Sequence, residues 1–363
     1  MSTAGRPDAP APAASASDVA TACREADFVS LVATASGDAL AALGVVARAL
    51  RTADVPFQAR VRQLPRPSMT EADVTVTVGA PGGDLAILDT PCSLVAYEAA
   101  RELGASPDPT LALAGAVASG EPEEAGHLLE SAPMERRPGI AIPVADVSDG
   151  LAHSTLAHAR FSGSPETAMA ALADLELPAE MDETAHRRLA SFAALAAVED
   201  ATPQAAEAVE RFLRPFVGGP FETLGGYADV LDAVARERPG VGVALALGGD
   251  ARTEALDAWR EHALAAHRGL READTGRYDG LFVVRTDGPV STVARLARDY
   301  RAPEPVVLAL SEGEAATAGT RDVAYAFRQA VDAIGGEQTA HGRTGYARDI
   351  DEQDLIAAYR EAL

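Results

Sequence analysis

The stretch "VATASGDALAALGVVARAL", residues 32–50, decides the fold. A β-branched run closes on small residues, passes through Asp38, and continues with Leu40, Leu43, Ala47 and Leu50 at helical spacing. A strand that runs straight into an amphipathic helix opens an α/β unit. In such sheets ligands sit beyond the carboxyl ends of the strands. Asp38 therefore stands where a site would be, with Ser36 two residues before it. Two roles suit it, a metal ligand or the N-cap of the helix it precedes, and the cap is the plainer of the two.

Working outward, "ADFVSLVATA" (26–35), "VPFQARVRQL" (55–64), "ADVTVTVGAPGGD" (72–84) and "LAILD" (85–89) read as strands. "SLVAYEAARELG" (93–104) reads as a helix with a Gly stop. The alternation predicts a mostly parallel sheet, with Asp38, Gly79–Gly83 and Asp89 at strand ends. Residues 165–238 are helical, in three stretches opening on Ser, Asp or Thr. A second α/β region follows. "VGVALALGG" (241–249), "YDGLFVVRTD" and "PEPVVLALSEG" read as strands, and "EALDAWREHALAAHRGLREA" and "STVARLARDY" as helices. The division expected is a disordered tail over 1–22, an α/β domain over 23–164, a helical connector over 165–250 and a smaller α/β domain over 251–363.

Composition excludes several chemistries. All 31 basic residues are Arg, and the formal net charge is −23 over 363 residues. Without Lys there is no P-loop lysine, no Schiff base and no pyridoxal phosphate anchor. An acid-heavy, Arg-only chain reads as a salt-adapted, halophilic surface before it reads as a basic partner's mate. Cys23 and Cys92 are too few for a zinc site or a disulfide framework and fit a reducing, cytoplasmic compartment. No run of 18 apolar residues occurs. Residues 1–17 lack a basic segment feeding an apolar core, so they read as tail and not leader.

Taken in order, these stretches resemble the DHH phosphoesterase superfamily, in its archaeal RecJ-like exonuclease branch, with degenerate catalytic motifs. The family's first motif, His-x-Asp-x-Asp-Gly, matches Thr34-Ala35-Ser36-Gly37-Asp38-Ala39, which keeps one aspartate. Its second, an Asp before a Gly-rich loop, matches "TVTVGAPGG" with Gly79 at the Asp position. The Asp-His-His motif falls on Asp89-Thr90-Pro91, and a further family Asp on Ser119 of "LALAGAVASGEP". "IGGEQTAHGRTGYA" (334–347) resembles the DHH-associated domain, whose Gly-Gly-His contacts nucleic-acid phosphate. Thr339-Ala340-His341 stand at that motif, which makes Gly335, Gly336, His341 and Arg343 nucleic-acid-binding candidates. "FETLGGYADVLDAVARERPG" (221–240) resembles the connector between the two domains.

Two-metal hydrolysis needs ions about 4 Å apart, held by several anionic or imidazole ligands. Here Ser36, Gly79 and Ser119 replace aspartates, and the first histidine in the chain is His127. Asp38 and Asp89 would hold at most one weakly bound Mg²⁺ or Mn²⁺, so no cofactor is expected. The resemblance then implies an inactive relative in DNA replication or repair. By that resemblance its partners are the replisome proteins GINS and MCM and single-stranded DNA or RNA, as for catalytically dead cofactors of the replicative helicase. The alternative is a Mn- or Mg-dependent 5′–3′ single-stranded DNA exonuclease or phosphodiesterase. Arg285, Arg295, Arg343 and Arg348 suit phosphate, although arginines in an acidic chain are more often ion-paired. No aromatic ladder is visible. His262 and His267, five apart, read as surface residues. Asp149, His153 and Ser154 hold the letters of a triad without its geometry.

Overall fold

In the computed structural model, residues 13–64, 71–178 and 180–363 are described, so the first twelve residues of the expected tail lie outside them. The chain divides into two compact units, one of residues 1–132 with 234–255 and one of residues 133–233 with 256–363.

The first unit opens with α1 (Ala16–Glu25), where the sequence reading extends the tail to residue 22. A reciprocal capping box corrects that reading. The Ser15 amide donates to Asp18 Oδ2 at 3.0 Å, and the Asp18 amide donates back to Ser15 Oγ at 3.2 Å. Then come β1 (Val29–Thr34), α2 (Gly37–Thr52), β2 (Phe57–Arg62), β3 (Val74–Val78), β4 (Leu85–Ile87), α3 (Cys92–Glu102), α4 (Pro109–Ser119) and α5 (Gly126–Ser131). The sheet order is β2-β1-β3-β4, parallel throughout, with Val29 opposite both Phe57 and Val74. All six residues of β1 are buried, as a central parallel strand covered on both faces requires.

The second unit starts with β5 (Glu135–Arg136), α6 (Val147–His153), α7 (Pro165–Ala173), α8 (Glu183–Val198), α9 (Ala205–Phe212) and β6 (Phe216–Val217). Ser164 and Asp182 cap α7 and α8 as their sequences suggest, while α9 begins after Gln204 with no side-chain cap. Next in the chain are α10 (Leu224–Glu237), α11 (Pro239–Ala246) and α12 (Arg252–Glu272). The rest is β7 (Asp274–Tyr278), β8 (Leu281–Arg285), α13 (Val290–Tyr300), β9 (Val306–Ser311), β10 (Glu314–Gly319), α14 (Ala324–Ile334), β11 (Glu337–His341), β12 (Thr344–Arg348) and α15 (Glu352–Ala362). The C-terminal sheet runs β11-β12-β10-β9-β8-β7, with only β8 and β9 parallel. Leu281, Leu308, Phe327 and Tyr359 sit in the core against it. Among the described residues, no helix is long and apolar enough to cross a membrane.

Residues 241–249, read as a strand, are mostly helix α11, which corrects that expectation. Pro239 explains it, because at the first helical position proline sacrifices no hydrogen bond and presets φ. Short apolar runs do not separate helix from strand by periodicity. α11 belongs to the first unit, where it lies on α2. Arg48 Nε donates to Ala246 O at 2.7 Å and Arg51 to Leu247 O at 3.2 Å, closing carbonyls at the end of α11. Gly44 makes the approach possible, since a Cβ there would lie 2.7 Å from Ala246 Cβ and 2.8 Å from its carbonyl oxygen. Thirteen of the sixteen residues of α2 are buried.

A Gly44→Ala substitution tests this seat. On an exposed helix it would stabilise by up to about 1 kcal/mol. Here it is expected to destabilise by about 1–3 kcal/mol, the usual range for overpacking, seen as a lower denaturant midpoint. A midpoint that rises instead would mean α11 is not seated there.

Candidate functional site

β1 ends at Thr34, and the chain turns through Ser36 into α2. Ser36, at a metal-ligand position of the resemblance, is the N-cap, its hydroxyl accepting from the Ala39 amide at 3.3 Å. Asp38 is therefore not the cap of its own helix, which corrects the simplest reading of it. It lies in the first turn of α2, only 6% exposed. Its Oδ2 accepts from the Cys92 amide at 2.7 Å and its Oδ1 from the Ser93 amide at 3.0 Å. These are the first two amides of α3, whose own N-cap, Pro91, makes no side-chain bond. Asp38 caps a helix 54 residues further along the chain. The positive end of α3 favours an anion at this point. Burial pushes the Asp38 carboxyl above the usual carboxylate range, with the Ser93 hydroxyl and the two amides opposing it.

The other positions of the family motifs lie around strand and helix ends of the same unit. Gly79 has φ +79°, and a Cβ on it would lie 2.3 Å from Thr34 Oγ1. Thr34 thus occupies the space in which an aspartate at position 79 would begin. The glycine loop folds back onto β3. Thr77 Oγ1 donates to Gly82 O at 2.7 Å, the Asp84 amide to Thr75 O at 2.9 Å, and the Thr75 amide to Asp84 Oδ2 at 2.8 Å. These bonds make the loop a return turn that brings β4 alongside β3. Asp89 is exposed, two residues past the end of β4. Ser119 closes α4, donating to Ala116 O at 2.8 Å and accepting from the Glu121 amide at 3.3 Å. Among the described residues, no three His, Cys, Asp or Glu side chains gather where a metal ion would be held. A metal pair needs several such ligands at one point, and Asp38 is turned to the amides of α3, so the residues present do not fit it.

The C-terminal candidates fall into two places. Gly335 ends α14 in the left-handed conformation at φ +76°, and Gly336 packs against Val331 and Ile350. His341 lies five residues on, at the far end of β11, about 17 Å away at the rise of a strand. It pairs with Thr344 across the hairpin tip formed by Gly342 and Arg343. Arg348 is paired with Glu337 at 2.7 Å, and Arg285 with Glu352. Arg295 donates to Thr155 O at 2.9 Å and Thr155 Oγ1 at 2.7 Å.

Two buried clusters in the second unit are not legible as such in the sequence. Asp229, 3% exposed, accepts from the Thr155 amide at 3.0 Å, Thr155 Oγ1 at 2.5 Å and Trp259 Nε1 at 2.8 Å. Its signal is a carboxylate among the apolar positions of "YADVLDAV". His262 and His267, read as surface residues, are 2% and 0% exposed, which corrects that reading. His262 Nε2 meets Thr292 Oγ1 at 2.8 Å. His267 Nε2 lies 3.0 Å from Ser154 O, which assigns it the proton, so His158 Nδ1 donates to His267 Nδ1 at 3.0 Å. Burial, with Arg301 and Arg271 nearby, holds His158 down at about 3. Burial and His158 hold His267 well below its ordinary value. His153 Nδ1 approaches Asp149 Oδ1 at 2.8 Å, but the Ser154 hydroxyl accepts from the Leu156 amide instead, so no triad forms.

Two outcomes follow from this geometry. Asp38→Ala leaves two helix-end amides unpaired and is expected to cost about 2–4 kcal/mol, with Asp38→Asn milder because it still accepts one amide. A loss below about 0.5 kcal/mol in urea titrations would mean the amides find water. The histidines act oppositely in pH. Their folded values lie below the ordinary 6.5, so their contribution is full above that pH and is lost as pH falls toward 3. Wild-type stability should fall by up to about 1.4 kcal/mol per pH unit per imidazole, and His158→Gln should flatten that slope. An unchanged slope would place the acid sensitivity elsewhere.

Comparison with known proteins agrees with this architecture. The family model described as "Uncharacterized protein rrnAC1427, C-terminal domain" matches residues 273–361, from just before β7 through most of α15. A relative from Haloarcula marismortui described as "Uncharacterized protein rrnAC1427" is 51% identical over 375 residues, covering all of both chains. CDC45 from Entamoeba histolytica superposes with a TM-score of 0.54 at 8% identity, over 93% of this chain and 95% of that one. RecJ from Thermus thermophilus in complex with Mg²⁺ gives 0.46 at 13% identity, over 96% of this chain and 50% of that one. The CDC45 likeness shows the fold, mixed α/β with a parallel sheet in the first unit and a separate C-terminal sheet in the second. At half identity along its whole length with the Haloarcula relative, the chain belongs to the rrnAC1427 family.

Proposed function

We propose that this protein is a RecJ-like DHH protein without nuclease chemistry, acting in DNA replication or repair as a scaffold for the replisome proteins GINS and MCM and as a binder of single-stranded nucleic acid. One observation carries the reading. Asp38, the aspartate retained from the first motif, has both oxygens committed to the amides of α3. Hydrolysis by two metals needs carboxylates with lone pairs aimed at a shared cleft. A carboxylate spent on holding two elements together serves the frame. The fold shared with CDC45 supports a role for the frame itself.

The test has two arms. Purified full-length protein, incubated with Mn²⁺ or Mg²⁺ and 5′-labelled single-stranded DNA, is expected to leave the label intact. Degradation that Asp89→Asn abolishes would restore the exonuclease reading. Tagged protein captured from a native-salt lysate is expected to bring down GINS and MCM. Recovery of neither would remove the scaffold.

A further inference from the structure

Residues 154–163 run from α6 to the cap of α7 without helix or strand, yet they are buried. Ser154, Thr155, Phe161 and Ser162 are at most 2% exposed. An irregular buried segment has backbone groups that need partners from elsewhere. Here side chains of three helices supply them. From α12, His267 Nε2 donates to Ser154 O at 3.0 Å, and Arg271 donates to Ser162 O. From α13, Arg295 donates to Thr155 O at 2.9 Å and the Tyr300 hydroxyl to Leu156 O at 3.1 Å. From α10, Asp229 accepts from the Thr155 amide at 3.0 Å. The last hold lies between the imidazoles, His158 Nδ1 donating to His267 Nδ1 at 3.0 Å.

That bond accommodates one proton. A second goes either on His267 Nδ1, where it meets the His158 N–H head on, or on His158 Nε2, where it charges the ring. Either way the new charge faces guanidiniums, Arg271 and Arg301 at His158 and Arg271 and Arg295 at His267. Arg271 and Arg295 themselves hold the segment, so the proton works against their bonds as well as its own. The carboxylates of the surrounding elements are engaged elsewhere. Asp299 is paired with Arg298 at 2.6 Å, and Asp200 acts on Arg301. Burial raises the Asp229 carboxyl, so acid does not loosen its hold on Thr155. We propose that residues 154–163 are a proton-released strap: protonation of the His158–His267 pair frees the segment from α12 and α13 while the rest of the unit stays folded. The core under the C-terminal sheet, with Leu308, Phe327 and Tyr359, draws no residue from the segment. Release uncovers a different core, the one that Phe161 shares with Leu189 and Phe212.

Hydrogen exchange read by mass spectrometry on the full-length protein, between about pH 6.5 and 4.5, tests it. Protection is corrected for the intrinsic exchange rate at each pH. The amides of residues 155–163 are expected to be less protected than those of α14 and α15 throughout. Their protection is expected to fall about tenfold per pH unit for each imidazole that charges on opening. His158→Gln keeps a donor for His267 Nδ1 and removes one titrating ring, so the fall should be shallower by about tenfold per pH unit. If the segment loses protection only together with α14 and α15, it opens by global unfolding and the strap is overturned. If it opens alone but equally at both ends of the pH range, the pair is not the trigger and the proposal fails. Should His158→Gln not fold, His267→Gln takes its place. Its carboxamide can donate to Ser154 O and accept from His158, and the same shallower fall is expected.

Discussion

The first unit depends on a buried carboxylate meeting the two leading amides of a helix that has no cap of its own. A charge this deep is costly unless every lone pair that matters is answered. Asp38 is answered by Cys92 and Ser93, and by the positive end of α3 behind them. The bond pair ties the β1–α2 corner to the β4–α3 corner. Ser36 takes over the capping of α2 and so leaves Asp38 available for this longer reach. Thr34 and Gly79 then close the adjacent space by direct contact between the ends of β1 and β3. Thr34, Ser36, Asp38 and Gly79, four positions that the motif comparison marks as altered or retained, thus form one packed solution.

Much of this frame is legible in the sequence, and the exceptions share a cause. β1, α2, β3, β4 and α3 announce themselves through alternation, helical spacing and glycine stops, because local pattern alone determines them. The partner of Asp38 is not local, so the carboxylate is recognised as important while its role is assigned to the wrong helix. α11 reads as a strand because a short apolar run satisfies either period. The signal that separates the two is Pro239, which favours a helix only because it stands at the first turn. His262 and His267 look polar by type. The cost of burying them is offset by Thr292, Ser154 and His158, partners lying on elements far away in sequence.

Arginine performs tasks here that a mixed Lys/Arg chain would divide. Arg48 closes the end of α11, Arg295 holds Thr155, and Arg328 donates to Ala340 O at 2.8 Å. Each uses the fixed fork of the guanidinium to reach a carbonyl. The arginines singled out for phosphate are divided by the same logic. Arg285 and Arg348 face carboxylates, and Arg295 faces a backbone carbonyl.

The seat that Gly44 makes for α11 has a consequence for synthesis. The first unit is not contiguous, since it takes residues 1–132 and then 234–255. A ribosome releases the sheet and α2 long before α11 exists to cover them. The nascent chain must therefore carry an uncovered face of α2 through the making of the intervening residues, those numbered 133–233. Domains that finish early are shielded early. This one finishes late, and its vulnerable period, when a chaperone has most to do, is set by gene order.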